Sequence, residues 1–192
     1  MGGNLADGAE LTITTTVVGS AFTPLARNGA RVGDIVYVTG RLGAPAAALA
    51  RLRLGQPAGE FQDRFTNPVA RIAEARWLAE HGATAAIDVS DGLVADVRHL
   101  AAASGVHIRL DAERIPLVPN VPLDRALESG EEFELVITAT TPIDTDAFAA
   151  KFGVPLTAIG RVMDNHSAGV ELRGDASGAR VADMSGYDHF ST

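Results

Sequence analysis

The first part of the chain alternates between β-branched runs and helical patterns. Residues 11–18 and 35–39 are rich in Val, Ile and Thr and follow glycine-containing turns, which predicts two strands. The Ala-rich stretch 43–55 predicts a short helix. A longer helix is predicted to start at Asn67-Pro68, as N-cap and first-turn proline, and to end at Gly82. The apolar face predicted for that helix consists of Val69, Ile72, Ala73 and Trp77.

The rest of the chain continues this alternation in an irregular order. Strand patterns cover 84–87, 106–111, the residues after Gly130, 156–162 and 169–174, and helical patterns cover 92–103 and 144–153. Because two pairs of strand patterns are neighbours in the chain, a mixed sheet is favoured over a purely parallel one. We therefore predict an α/β fold of the layered α+β kind, with helices packed on a mixed sheet.

Composition narrows the choice of function. The 192 residues have 46% hydrophobic residues and a formal net charge of -8. That balance argues against a protein that binds the phosphate backbone of nucleic acids, which needs clustered Lys and Arg. There is no cysteine, and no charged leader or long apolar stretch. We therefore expect a cytoplasmic protein with neither nucleic-acid nor membrane partners.

One turn concentrates polar side chains between a strand and a helix. Asp88, Ser90 and Asp91 lie in "AAIDVSDGLVADVRHL", just before the predicted helix. Ser90 or Asp91 is suited to capping that helix. Three such side chains in four positions exceed what a cap needs, however, and carboxylates next to a helix N-terminus suit Mg²⁺ and phosphate. Local chemistry leaves both interpretations open.

A second acidic run occurs in "ALESGEEFELVIT". Charged runs are usually solvent-exposed. If a strand begins at Phe133, its alternation would place Glu131 on the same face as Phe133 and Leu135, with Glu132 and Glu134 on the other face. Glu131 is then the glutamate with the unusual orientation.

These two stretches and the terminal "GYDHF", in this order, resemble the C-terminal domain of the thiamine-monophosphate kinase family, in the superfamily of aminoimidazole ribonucleotide synthetase. Upstream, "LARNGARVGDIVYVTGRLGAPAAAL" resembles the segment where that family passes from its first domain to its second. The resemblance covers nearly the whole chain. It implies transfer of the ATP γ-phosphoryl group to thiamine phosphate, with ATP and Mg²⁺ as cofactors.

By the same resemblance, Asp88 and Asp91 would be Mg²⁺ ligands, and Ser90 would contact the nucleotide phosphates. Arg27 matches an arginine near the ATP phosphates. Phosphoryl transfer needs positioning and cations more than covalent chemistry from the protein, which agrees with these residue types.

On the substrate side, Glu131 and Tyr187 match positions that contact thiamine phosphate, with Tyr187 packing on the thiamine rings. A carboxylate and an aromatic face both suit the positive thiazolium. There are departures from the family pattern: "GEEFEL" replaces an acid-rich "GEDYEL" type, and Asn4 stands where the family commonly has a metal-binding Asp. An uncharged Asn4 puts that ligand in doubt.

The resemblance also implies a domain division. Residues 1–26 would be a remnant of the N-terminal ATP-binding domain, including its last strand, and 27–192 the C-terminal α/β domain. A chain without the rest of the first domain is expected to be inactive alone, while the longer protein would form a homodimer through that domain. Two alternatives stay open: another ATP-dependent enzyme of the superfamily with a different metabolite, and a non-catalytic binding or dimerisation module.

Overall fold

The computed structural model describes residues 13–165 and 167–174 as a six-stranded sheet covered by helices. The strands are β1 (Ile35–Thr39), β2 (Ala83–Asp88), β3 (His107–Asp111), β4 (Leu135–Ala139), β5 (Leu156–Met163) and β6 (Gly169–Arg173). Their spatial order is β2-β4-β1-β5-β3-β6. All neighbours are antiparallel except β3 and β6, which are parallel. The sheet is therefore mixed, and the predicted α/β fold class is confirmed.

Helices cover both faces of this sheet. They are α1 (Ala44–Arg53), α2 (Gln62–Thr66), α3 (Ile72–Glu80), α4 (Leu93–Ser104), α5 (Leu123–Leu127) and α6 (Thr145–Phe152), with short 3₁₀ turns at Gly59–Phe61 and Ala112–Arg114. Successive side chains of a strand point to opposite faces, so Val36 and Val38 of β1 pack in one core and Tyr37 packs in the other. The first core includes α4 and α5, and the second includes α3 and α6. A third, smaller cluster joins α1 to the segment before α2.

The helix predicted to start at Asn67-Pro68 begins later. It starts at Ile72, and Asn67 instead follows the end of α2. A proline disfavours helical backbone at the residue before it, which explains the break at Asn67. The predicted apolar face is correct only in part: Trp77 packs against the second core, whereas Val69 and Ile72 are 62% and 59% exposed and the fully buried Leu78 was not predicted.

The predicted first strand is also not borne out where it can be tested. Of residues 11–18, the structure describes 13–18, and these form no strand. Their apolar side chains are exposed, with Val17 and Val18 at 87% and 90%. The backbone reaches the sheet further along, where the Ala86 N–H donates to the Ala26 carbonyl beside β2. Among the described residues, no helix is long and apolar enough to cross a membrane.

Candidate functional site

The turn between β2 and α4 is held by a carboxylate that lies inside the helix. Gly92 is the N-cap residue of α4, and no side chain caps the helix there. The predicted cap by Ser90 or Asp91 is therefore wrong. Instead, Asp96 accepts hydrogen bonds through one oxygen, Oδ2, from the Ser90 N–H (2.9 Å) and the Asp91 N–H (3.0 Å). The side chains of Ser90 and Asp91 are thus not needed to start the helix.

Asp96 is an unusual residue for its position. It is 2% exposed and is surrounded by the apolar residues of α4. Burial raises the pKa of its carboxyl, the two backbone N–H groups lower it, and the nearby charges of Asp91 and Asp88 raise it further. Asp88, the last residue of β2, and Asp91, in the turn after it, therefore act electrostatically on the buried Asp96.

The second acidic run is joined to this turn by backbone hydrogen bonds. We call Gly130–Glu134 the glutamate segment. The Glu131 N–H donates to the Ser90 carbonyl (2.8 Å), and the Phe133 N–H donates to the Val89 carbonyl (2.9 Å). A Cβ on Gly130 would lie 2.8 Å from the Ser90 carbonyl oxygen, so this close approach requires glycine. The two motifs found far apart in the chain therefore form one hydrogen-bonded unit.

The side chains of the glutamate segment do not alternate as predicted. Strand β4 begins only at Leu135, while Glu131 and Phe133 have positive φ angles of 58° and 51°. Glu131 is exposed, whereas Glu132 and Glu134 are 3% and 0% exposed. Glu131 does line one pocket together with Phe133, as the predicted grouping has it, but it is exposed instead of being directed towards apolar residues.

The buried Glu134 is neutralised by two arginines. Arg71 binds both its oxygens, with Nε 2.9 Å from Oε2 and Nη2 2.7 Å from Oε1. Arg64 lies 3.0 Å from Oε1, and the Thr39 hydroxyl donates to Oε2 at 2.6 Å. Gly40, at φ 67°, leaves room for this carboxylate, which any Cβ there would overlap. A buried charge needs such pairing to be tolerated.

Glu132 is buried with weaker compensation. Its carboxylate accepts the Gly43 N–H at the start of α1 and lies 3.3 Å from Nη2 of Arg64. Burial raises the pKa of Glu132 to about 7, against the opposing effects of a hydrogen bond with Ser129, the Gly43 N–H and Arg64. Glu132 therefore ties the glutamate segment to α1 and α2.

Two neighbouring pockets flank the unit. The larger, about 640 Å³, we call the acidic cleft; the smaller, about 500 Å³, we call the Arg27 pocket. The acidic cleft is lined by Ser90, Asp91, Glu128, Glu131, Phe65 and Phe133 among others. The Arg27 pocket is lined by Arg27, Arg76, Asp88, Leu25, Ile72 and Leu135 among others.

The structure thus brings Ser90, Asp91 and Glu131 together in one pocket, and Arg27 and Asp88 in the next. Tyr187 lies outside the described residues. Sequence reasoning missed Asp96, Arg64 and Arg71. A single acid within the apolar run "LVADV" was the one signal for Asp96, whereas nothing local marked the two arginines as partners of distant glutamates.

The carboxylates of Asp88 and Asp91 are suited to a hydrated cation. Both are partly exposed, and neither makes a hydrogen bond or ion pair with another described residue. No group of three or more His, Cys, Asp or Glu in the described part of the chain is placed to hold a metal. Mg²⁺ is commonly bound by one or two carboxylates together with waters and phosphate oxygens. Two carboxylates therefore fit Mg²⁺ that arrives with a phosphate ligand.

Comparison with known proteins places these features in a family. Residues 31–173 match the C-terminal domain of AIR synthase related proteins. A thiamine-monophosphate kinase of Halobacterium salinarum is 38% identical over an alignment of 182 residues that covers 92% of this chain and 62% of that protein. This chain therefore spans less than two thirds of that relative.

Solved structures agree with the sequence comparison. Thiamine-monophosphate kinase from Stenotrophomonas maltophilia superposes with a TM-score of 0.72 at 33% identity, over 81% of this chain and 54% of that one. AaThiL complexed with AMPPCP and TMP gives a TM-score of 0.70 at 32% identity, over 86% of this chain and 54% of that one. Both similarities cover about half of the longer proteins.

Proposed function

The chain belongs to the family of AIR synthase related proteins, and we propose that it forms the C-terminal part of a thiamine-monophosphate kinase. The reaction would transfer the γ-phosphoryl group of ATP to the phosphate of thiamine phosphate, giving ADP and thiamine diphosphate. The names of its relatives support the reaction type, as does the ATP analogue bound to AaThiL together with TMP. The resemblance of the two acidic motifs and "GYDHF" to the kinase supports the substrate.

One observation carries this proposal. The turn with Ser90 and Asp91 and the segment with Glu131 are bonded backbone to backbone, through the Ser90 carbonyl and the Glu131 N–H. A ligand in the acidic cleft can therefore meet a phosphate-binding turn and a substrate-binding carboxylate at once. Phosphoryl transfer depends mainly on positioning of the two reactants, and a shared rigid frame supplies it.

On the nucleotide side, Asp88 and Asp91 would hold Mg²⁺, and the Ser90 hydroxyl would bind a phosphate oxygen. When bound, Mg²⁺ supplies positive charge for the phosphate oxygens of the transition state. Arg27 would bind phosphates from the neighbouring pocket, which Asp88 also lines. Asp96 would keep the Ser90–Asp91 backbone in place while the side chains bind.

On the substrate side, Glu131 would bind the positive thiamine and Tyr187 would pack on its rings. The exposed position of Glu131 in the cleft supports this role, even though its predicted orientation was wrong. A negative carboxylate next to a positive thiazolium lowers the free energy of binding when both are shielded from water.

The proposal includes the organisation of the longer protein. Residues 1–26 would end an N-terminal ATP-binding domain, and 27–192 would form the C-terminal domain. The homodimer would form through the first domain, in the cytoplasm. Since the resemblance assigns much of the nucleotide site to the first domain, we expect the 192 residues alone to bind thiamine phosphate without turning it over.

The test is a chimera in which this chain replaces the matching part of the Halobacterium salinarum relative. Incubation with ATP, Mg²⁺ and thiamine phosphate should form thiamine diphosphate, and the 192 residues alone should not. A chimera that binds ATP yet phosphorylates a different metabolite would favour the other superfamily enzyme. A folded chimera that binds ATP without any transfer would favour the non-catalytic module.

A further inference from the structure

Phe133 combines three features that a packing role does not explain. It lines the acidic cleft and is only partly buried. It belongs to none of the three hydrophobic clusters formed by the described residues. Its φ angle is 51°, a conformation that is rare for a bulky residue and costs free energy. Strain of this kind persists where the surroundings hold it, and it is concentrated at functional sites.

The surroundings of Phe133 do hold it. Its N–H donates to the Val89 carbonyl at 2.9 Å, which fixes it to the turn after β2. The residues on either side of it, Glu132 and Glu134, are buried. Arg64 forms an ion pair with both glutamates, and Arg71 forms a second one with Glu134. With both neighbours turned inward, the Phe133 ring is kept at the cleft.

The chemistry around the ring indicates its ligand. Phe65 of α2 lines the same cleft but packs on the third cluster, so it contributes a fixed wall. The carboxylates of Asp91, Glu128 and Glu131 line the cleft as well, against one arginine, Arg53. An aromatic face attracts a cation, and surrounding carboxylates strengthen that attraction.

We propose that Phe133 is a specificity-determining residue whose ring packs against a positively charged heteroaromatic ring of the substrate. This inference rests on the proposed function, because it assigns a contact for the substrate of the same site. It explains why an aromatic side chain stands in a backbone conformation that glycine would adopt without strain. Phe133 would thus favour ligands that are both positively charged and flat.

The test measures binding by calorimetry to the 192-residue chain. The ligands are thiamine phosphate and N-benzylpyridinium, a cationic ring unrelated to thiamine. We expect Phe133→Leu and Phe133→Gly to weaken the binding of both ligands about 5- to 30-fold, the range from an exposed to a desolvated cation–π contact. Phe133→Tyr should bind like the wild type. Asn120→Gly is the matched control, since Asn120 also has a positive φ, 64°, but is not among the residues lining the cleft.

The outcomes separate this inference from the proposed function. If Phe133→Leu binds thiamine phosphate as tightly as the wild type does, the inference is overturned and the proposed function is not affected. Phe133-dependent binding of N-benzylpyridinium without binding of thiamine phosphate would support the inference and overturn the proposed function. If the wild type binds neither ligand, both are overturned. Phe133→Gly should have an unfolding temperature near that of the wild type. If its unfolding temperature falls as far as that of the core variant Leu93→Ala, Phe133 has a packing role and the inference is overturned.

Discussion

The two acid-rich segments of this protein look alike in sequence and differ in how their charge is balanced. In the glutamate segment, Glu132 and Glu134 are buried and paired with Arg64 and Arg71. At the end of β2 and in the turn that follows it, Asp88 and Asp91 are partly exposed and form no ion pair with another described residue. Asp96, buried beneath that turn, adds a further negative charge.

This difference teaches that acid density alone does not identify a ligand site. The glutamate segment receives its cations from the protein, so its carboxylates serve the structure. The turn donates the Ser90 and Asp91 N–H groups to Asp96, and among the described residues no arginine forms an ion pair with Asp88 or Asp91. The charge of these two carboxylates is therefore available to a cation. Of the three glutamates in the segment, only Glu131 is exposed and without an ion pair to a described residue, as Asp88 and Asp91 are.

The largest effect expected from this comparison is on stability. Glu134→Ala should lower the free energy of unfolding by about 3–5 kcal/mol, because it leaves the buried Arg71 without its bidentate partner. Glu131→Ala, three positions earlier and exposed, should change it by less than about 0.5 kcal/mol. Urea unfolding followed by circular dichroism measures both. Equal losses for the two variants would contradict the division into structural and open glutamates.

The next effect is a pH dependence of the free energy of unfolding, caused by Glu132. The folded protein raises the pKa of Glu132 from 4.5 to about 7, so between these values it binds more protons than the unfolded chain. Stability should therefore fall as pH rises through this window, by as much as about 3 kcal/mol. Below and above the window this contribution should be constant.

Glu132→Gln isolates that contribution. Glutamine keeps an acceptor for the Gly43 N–H but does not titrate. The difference in unfolding free energy between wild type and variant should change in favour of the variant from pH 4.5 to pH 7. The contribution of Asp96, which is not among the causes of the shift at Glu132, should be the same in both proteins and cancel. A difference that does not change with pH would show that folding does not raise the pKa of Glu132.

Much of the fold was accessible from the sequence, because most of its elements have local signals. Residues 35–39 form β1 as predicted, and the helix predicted over 92–103 is α4, Leu93–Ser104. The start of α3 was missed because Arg71, just before it, is bound to Glu134, sixty-three positions away. Such non-local ion pairs leave no trace in hydrophobic periodicity.

The sequence predicted which residues lie at the candidate site better than it predicted how they are arranged. The joining of the Ser90 turn to the Glu131 segment depends on hydrogen bonds between distant backbone groups, which no pattern reveals. The orientation of Glu131 was wrong because the alternation rule assumes strand geometry, and positive φ angles at Glu131 and Phe133 break it. Asp96 was missed because a lone acid in a helical apolar run does not show that its carboxylate accepts hydrogen bonds from the Ser90 and Asp91 N–H groups.

The third effect concerns Asp91 in the chimera. Asp91→Asn should lower kcat about 100-fold, or about 2.7 kcal/mol, because it removes one charged ligand of the Mg²⁺ that would stabilise the reacting phosphates. Folding should be almost unaffected, since the Asp91 side chain makes no hydrogen bond or ion pair with another described residue. The control is Asp146→Asn, an exposed acid in the first turn of α6. An Asp91→Asn activity within a few-fold of wild type would return the turn to a purely structural role.

The smallest effect separates the two contributions of Asp96, its hydrogen bonds and its charge. Both bonds end on one oxygen, Oδ2, so the amide oxygen of Asp96→Asn can accept them. We expect that variant to change the free energy of unfolding by less than about 1 kcal/mol and to bind Mn²⁺ a few-fold more weakly, because one negative charge beneath the turn is lost. Mn²⁺ binding is measured by electron paramagnetic resonance. Asp96→Leu removes the acceptor as well, so the Ser90 and Asp91 N–H groups should also exchange with solvent faster. If Asp96→Asn speeds the exchange of the Ser90 and Asp91 N–H groups as much as Asp96→Leu does, the negative charge of Asp96 is what holds the turn. The acidic residues of the turn would then have a structural role.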